Sequence, residues 1–461
     1  MRRTIGEIAR MIGAETPDSV WNELVVNGVS IDTRTLKPGN LYIPIVGERF
    51  DGHAFAAKAI EQGAAAMLWR RGQANPPEHF PIIAVEDTEK ALQTLAAAYR
   101  RQLSKLTVVG VTGSNGKTST KDLVASVLST AYKTQKTAGN LNNHLGVPLT
   151  LLSLEEDTEY AVVEMGMSDL GEIRFLASLA KPNIAVITNV SEVHLGDLHT
   201  RERILQAKLE ITEALTEQDA LIYFGDHSPL RQAVQELKLR CNTIAFGEGV
   251  QNDVIAERIE VSRHGVQFNT EGERFGIPVL GKHQAINALA AVAVARLAGL
   301  TTDDIREGLS QVQLTGMRNE WITAGGLSIM NDTYKSNPSS VRAALDLLYS
   351  LQPFEQKIAV LGEMVELGDE SAAFHREIGE GLQPEQLDYV FTIGTIAREI
   401  ADSARQRFMP DRIIHCSDQQ ELLGRLKQTI RSNCLLLVKG SRTLELEKVV
   451  EELRQSAVAE A

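Results

Sequence analysis

The stretch Thr107–Tyr132, TVVGVTGSNGKTSTKDLVASVLSTAY, decides the fold. Val108, Val109 and Val111 form a short apolar run that leads into Gly113, Gly116, Lys117 and Thr118, and then into an amphipathic segment. Strand, glycine loop and helix, in that order, are the setting in which a loop cradles phosphate. Glycines let backbone N–H groups turn inward onto an anion, and the helix N-terminus adds the positive end of its dipole. Lys117 is placed to reach terminal phosphates, and the Thr118 hydroxyl to ligate Mg²⁺. The spacing departs from the usual G-x-x-x-x-G-K-[ST]: Val111 stands where the first glycine belongs, and the glycines fall at Gly110, Gly113 and Gly116.

Around this loop, residues 85–313 alternate between strand-like and helix-like segments, which predicts a parallel sheet covered on both faces. Tyr160–Val163 and Ile184–Ile187 are continuously apolar, as strands buried on both sides must be. The first ends at Glu164-Met165-Gly166 and the second at Thr188-Asn189, with His194 shortly after. Ligands of open α/β sheets bind outside the carboxyl ends of the strands, so the phosphate loop, Glu164 and His194 are expected at one edge. A carboxylate suits magnesium, a hard ion that prefers oxygen. Each residue alone is ordinary: a strand-end glutamate often sits in an ion pair, and a loop histidine or a helical lysine such as Lys208 is usually solvated. Their convergence is what carries weight.

Residues 1–84 read as a small mixed α/β unit, with a helix over Ile5–Ile12, strands over Leu24–Ile31 and Leu41–Val46, and a helix over Ala54–Gly63. No phosphate loop occurs there; Arg34, beside Ser30 and Asp32, is either a holder of ligand phosphate or a solvated turn residue. Residues 253–280 alternate with period two around Gly265 and Gly272, which predicts hairpins. Gly281–Gly299 enters an alanine-rich helix with His283 and Asn287 one turn apart. Residues 314–461 read as a third, Rossmann-like α/β unit, with strands Leu327–Met330, Ile358–Leu361, Tyr389–Ile393 and Cys434–Val438. Three of those strands end in polar loops at Asn331-Asp332-Thr333, Gly362-Glu363-Met364 and Lys439-Gly440-Ser441-Arg442.

A chain of 461 residues exceeds one ordinary core, in keeping with several domains. Its net charge of −13 argues against a nucleic-acid partner. Cys241, Cys416 and Cys434 are odd in number and lack any C-x-x-C, so reduced thiols in a cytoplasmic protein are expected. The opening MRRTIGEIARMIG has no apolar core of a secretion signal, and the apolar run Ala288–Ala295 is too short for membrane insertion.

The ordered segments TGSNGKTST, AGNLNNHLGVP (138–148), VVEMGM, NVSEVHLGD, AKLEI, GKHQAINALAA, MRNE and NDTYKSNPSS resemble the Mur ligase family of peptidoglycan amino-acid ligases over nearly the whole chain. Ser30–Phe55, Leu361–Ser371 and KGSR most resemble members that join D-alanyl-D-alanine to UDP-N-acetylmuramoyl-tripeptide. The resemblance implies three domains: 1–84 for the UDP substrate, 85–313 for ATP and 314–461 for the amine substrate. It implies that Gly113, Ser114, Asn115, Gly116, Lys117, Thr118 and Ser119 hold ATP, with His283 and Asn287 and, from the third domain, Arg318 and Asp332. Thr118 and Glu164 are implied to hold one Mg²⁺ and His194 a second, with Lys208 as the lysine that members carbamylate into a metal ligand. Asn142 and Asn143 are implied to face the muramoyl peptide, and Ser30, Asp32, Thr33 and Arg34 the UDP end. Catalysis is thus expected from Lys117, Glu164, His194 and Lys208, in a monomer whose third domain swings about Thr315–Arg318. Lys335-Ser336 stand where many members have Asn-Ala, and the Val111 spacing is shared by the family.

Overall fold

The strand Thr107–Thr112 sits inside a sheet ordered Val254–Ile255, Asn242–Gly247, Ala220–Phe224, Ile184–Ile187, Thr107–Thr112, Tyr160–Glu164, Thr134–Lys136, every pairing parallel. The structure is a computed structural model that describes residues 1–15, 20–48, 50–193, 195–316 and 320–459. Alternate residues of each inner strand feed separate apolar layers: Val109, Val111, Val162, Ile184 and Val186 enter one, Val108, Ala161, Val163, Ala185 and Ile187 the other. This explains why these strands are apolar without alternation: neither face meets water. The first layer is closed by the phosphate-loop helix Lys117–Leu128 packed on Lys282–Leu297, whose alanines let the two helices approach. The second is closed by Thr88–Gln102, Gly146–Ser153 and Glu172–Ala180.

Register then sets the site. Val111 pairs with Glu164 and Thr112 with Ile187, so Glu164 and the start of the glycine loop leave the sheet side by side. Beyond the sheet, Glu257–Ser262, Gly265–Thr270 and Glu273–Ile277 form the expected antiparallel meander, turning at Glu271-Gly272, both with positive φ. Val254–Ile255, expected in the hairpins, instead extends the parallel sheet, paired with Phe246 and Gly247.

The N-terminal unit has a parallel sheet of Val29–Ser30, Leu41–Tyr42, Ala66–Arg70 and Ile82–Val85, beside an antiparallel pair Arg2–Thr4 and Val25–Asn27. Its helix Ile5–Ile12 starts in a Thr4–Glu7 capping box and stops at Gly13. The strand expected over Leu41–Val46 is only Leu41–Tyr42. Pro44 cannot donate to a ladder, and its carbonyl is taken by the Thr88 hydroxyl at 2.6 Å. The helix expected at Ala54 begins earlier, as a 3₁₀ turn from Gly52 capped by Asp51, and ends at Glu61.

The third unit orders its strands Glu320–Ala324, Leu327–Asp332, Cys434–Lys439, Gln356–Gly362, Tyr389–Ile393, Ile413–Cys416, parallel except for the edge strand Glu320–Ala324. That edge strand and Ile413–Cys416 were not foreseen. The three expected polar loops leave the carboxyl ends of neighbouring strands. Among the described residues no helix is long and apolar enough to cross a membrane, and the three cysteines are buried and unpaired.

Candidate active site

The glycine loop is held from behind. The Ser114 N–H donates to the Asn189 carbonyl (3.0 Å), the Asn115 N–H to Asn189 Oδ1 (2.8 Å), and the Thr188 hydroxyl to the Asn115 carbonyl (2.5 Å). A Cβ on Gly113 would collide with Thr188 Oγ1, and one on Gly116 (φ +79°) would stand 2.6 Å from Asn287 Oδ1. The glycines are therefore demanded by packing as well as by conformation. Since the N–H groups of Ser114 and Asn115 are spent on Asn189, the donors left for an anion are those of the first turn of Lys117–Leu128. No side chain caps that turn. Lys117 Nζ lies back on the loop, donating to the carbonyls of Gly113 (2.7 Å) and Ser114 (3.1 Å).

Glu164 is 1% exposed. Its Oε1 accepts from Asn142 Nδ2 at 2.8 Å, and its Oε2 has no hydrogen-bond donor among the described residues. A buried carboxylate oxygen left bare is what a hard cation needs, and Thr118 is buried on the same cavity wall. The donor set therefore fits magnesium. Among the described residues no three His, Cys, Asp or Glu side chains gather as a metal cluster. Lys208, 1% exposed, ends in an Nζ with no hydrogen-bond partner among the described residues. Burial above all, then Lys117 and Lys335, drives its pKa well below the ordinary lysine value.

Across the cavity the third unit supplies its own groups. Lys439 Nζ pairs with Asp332 Oδ2 at 2.5 Å and donates to the Lys335 carbonyl. Burial pushes the nearby His283 down to about 4, against the pull of Asp332 and with Lys439 adding to the fall, so its ring is neutral near pH 7. Lys335 pairs with Glu366 at 3.1 Å. The loop bearing Glu366 is anchored by the buried His375, whose Nε2 accepts the Met364 N–H at 2.9 Å. The two lobes meet at Asn115, which bonds Asn337 and Ser339, and at Gly196, whose N–H donates to the Glu366 carbonyl at 3.0 Å. There the backbones nearly touch: a Cβ on Gly196 would stand 3.0 Å from Gly368 N, and one on Gly368 2.9 Å from Gly196 Cα.

Between them lies a cavity of about 680 Å³. Of the residues expected at the site, Ser114–Ser119, Asn142, Asn143, Glu164, His283, Asn287 and Asp332 line it. Gly113 is not in the lining and packs against Thr188, and Lys208 is buried, 1% exposed. Asn143 also caps the helix Gly146–Ser153, its Oδ1 accepting the Gly146 N–H at 2.9 Å. His194 and Arg318 fall outside the described residues. Ser30, Asp32, Thr33 and Arg34 do not reach the cavity; they form a turn of their own in the N-terminal unit. There the Arg34 guanidinium, 83% exposed, bonds both oxygens of Asp32 and holds that carboxyl below its usual range, while Ser30 Oγ donates to the Asp32 carbonyl. Glu366 and the buried pair Lys121–Asp122 were not singled out from the sequence; Lys335 was noted only as a departure from the family and Lys439 only as part of a strand-end loop. The KGSR motif pointed towards Lys439, and the Asn-Ala replacement towards Lys335.

A phosphate loop at the carboxyl edge of a parallel sheet, facing a second α/β unit across a polar cavity, defines a two-lobed phosphate-loop nucleotide-binding protein. The chain belongs to the Mur ligase family: residues 25–100 match the family's catalytic domain, 111–295 its middle domain and 317–442 its glutamate ligase domain. It is 45% identical, over the whole of both chains, to the UDP-N-acetylmuramoyl-tripeptide–D-alanyl-D-alanine ligase of Bacillus subtilis (strain 168). The structure superposes on MurF from Acinetobacter baumannii with a TM-score of 0.86 at 30% identity, covering 99% of each chain. On the MurF ligase of Thermotoga maritima, solved in complex with ADP, the TM-score is 0.81 at 29% identity, covering 95% of this chain and 99% of that one.

Proposed function

We propose that this chain is an ATP-dependent amide-bond-forming ligase that joins D-alanyl-D-alanine to UDP-N-acetylmuramoyl-tripeptide, releasing ADP and phosphate. One observation carries the reading: loops from the phosphate-loop sheet and from the third unit's sheet wall the same cavity, so a nucleotide and a second substrate meet there. The full-length likeness to a relative of that name supports the choice of substrates. In this reading residues 1–84 take the UDP end through Ser30, Asp32, Thr33 and Arg34, residues 85–313 take ATP, and residues 314–461 take the amine. One chain furnishes the described cavity, so a monomer suffices. Its substrates place it in the cytoplasm.

In the first step the tripeptide carboxylate attacks the γ-phosphorus of ATP. The bond to the β–γ bridging oxygen breaks, leaving ADP and an acyl phosphate. The amine of D-alanyl-D-alanine then attacks the acyl carbon, the carbon–oxygen bond to phosphate breaks, and the nitrogen gives up a proton. Two anions must approach in the first step. Lys117 moves from the loop carbonyls onto the terminal phosphates, while the first-turn N–H groups of Lys117–Leu128 hold the rest of the chain of phosphates. Thr118 and Glu164 would hold one magnesium, and His194 and Lys208 a second; bound there, magnesium supplies further positive charge against the same repulsion. Lys208 takes part because burial lowers the pKa of its amine and so raises the share of the neutral, nucleophilic form, which can add carbon dioxide with loss of a proton and so become a carboxylate ligand. His283, Asn287, Arg318 and Asp332 position the nucleotide, Asn142 orients Glu164 and faces the peptide, and closure about Thr315–Arg318 keeps water from the acyl phosphate.

The test is the full reaction. ADP and phosphate should appear together only when UDP-muramoyl tripeptide and D-alanyl-D-alanine are both present. A stable phosphorylated product would mean a kinase, and slow hydrolysis without second substrates would mean a nucleotide switch.

A further inference from the structure

Lys121 follows Lys117 by one helical turn and is 0% exposed. Its Nζ donates to the Thr137 carbonyl at 3.1 Å, lies 3.5 Å from Asp122 Oδ1, and lies 3.9 Å from Glu164 Oε2. The third distance is within Coulombic reach and beyond a hydrogen bond. Two features hold the ammonium back from Glu164. Thr137 is fixed against the same strand, its hydroxyl accepting the Glu164 N–H at 3.0 Å. Asp122, its side chain 0% exposed, pulls from the other side and is itself immobilised by Lys136 Nζ (2.6 Å) and by the Thr315 N–H and hydroxyl (2.8 and 2.9 Å).

A buried carboxylate needs either a donor or a counter-charge. A donor on Oε2 would occupy the lone pairs that a metal uses. We propose that Lys121 is a positioning residue of the ligase site: it balances the charge of Glu164 without bonding the free oxygen. The carboxylate is thereby kept ready for the cation but binds it weakly until the nucleotide brings it. This rests on the reading of Glu164 as a magnesium ligand. The role predicts an unusual sign. If Lys121 merely supported the fold, its loss would loosen the site and weaken metal binding. If it is a standing counter-charge, its loss leaves Glu164 unbalanced while Asp122 stays engaged by Lys136 and Thr315, and the site binds magnesium more tightly.

The experiment titrates Mg²⁺ into the full-length protein with a non-hydrolysable ATP analogue, followed by calorimetry and by the melting midpoint. Lys121→Met is expected to melt lower without Mg²⁺ and to need at least about tenfold less Mg²⁺ for half-saturation, since one unit charge near 4 Å is worth about 1 kcal/mol in water and more in the interior. Lys121→Arg, which keeps the charge, is expected to stay within about twofold of the parent. Lys121→Met in a Glu164→Gln background is expected to give no gain over Glu164→Gln alone. Lys121→Gln replaces Lys121→Met if the latter does not fold, with the same direction expected. An unchanged or higher Mg²⁺ requirement in the Lys121 variant, with Glu164→Gln still shifting it, overturns the role of Lys121 alone. A Glu164→Gln protein with unaltered Mg²⁺ dependence overturns the metal reading of Glu164, and this inference with it.

Discussion

Lys121 and Lys208 are both enclosed, at 0% and 1% exposure, and both have pKa values lowered chiefly by burial. Their neighbours differ. Lys121 has a carbonyl and two carboxylates around its ammonium, and the carboxylates of Asp122 and Glu164 pull its pKa back up. Lys208 has no acceptor among the described residues, and Lys117 and Lys335 each repel its charge more than Glu172 or Glu210 attracts it. Two enclosed lysines of the same lobe thus differ: the carboxylates beside Lys121 favour its cation, and the surroundings of Lys208 favour the neutral amine. Burial alone says nothing about what a lysine does; the company it keeps in the low-dielectric interior decides it.

The largest expected effect is on turnover. Lys208→Met, like Lys117→Ala and Glu164→Ala, should lower steady-state kcat by about 10²–10³, the usual loss when one stabilising group leaves a charge-transfer site. A Lys208→Met enzyme within tenfold of the parent would break the contrast. The same substitution at the two positions should then move stability in opposite directions. Lys121→Met breaks a buried ion pair and should cost about 3–5 kcal/mol. Lys208→Met removes a buried amine without an acceptor and should add about 1–3 kcal/mol. Both are read by denaturant melts without nucleotide or bicarbonate.

A smaller effect appears in the pH dependence. Because the native pKa of Lys208 lies well below 10.5, the unfolded chain binds the extra proton between those two values, and stability rises with pH across that window. Lys208→Met should flatten that slope, which melting midpoints between pH 8 and 10 would show. Smallest of all, Thr315→Val removes one of the two bonds Thr315 makes to Asp122 and should cost about 1 kcal/mol. It should leave the Lys208 slope unaltered.

The contrast also marks where sequence reading succeeds. Thr107–Leu128 was legible because a strand buried on both faces must be uniformly apolar and a phosphate loop must carry glycine. Glu164 was legible because strand ends converge, and the register of Val111 with Glu164 realises that convergence. Lys121 and Asp122 were illegible, since adjacent charges on a helix ordinarily face solvent. Their burial depends on Thr137, Lys136, Glu164 and Thr315, the last 193 positions away from Asp122. The shortening at Leu41–Tyr42 depends on Pro44 and on Thr88, which takes its carbonyl, and the edge strand Glu320–Ala324 is a local hairpin with Leu327–Asp332 that the sequence reading did not pick out. The turn at Asp32 and Arg34 was found as a motif, but its distance from the cavity follows from the placement of a whole unit.

Where Gly196 meets Gly368, two main chains from different lobes rest on each other with no side chain between them. Such a seat works like a doorstop: it fixes how far the mouth shuts, to within the width of one methyl group. An alanine at either position would prop the mouth ajar. The protein would then still bind ATP but would leak its activated intermediate to solvent, spending nucleotide without making peptide.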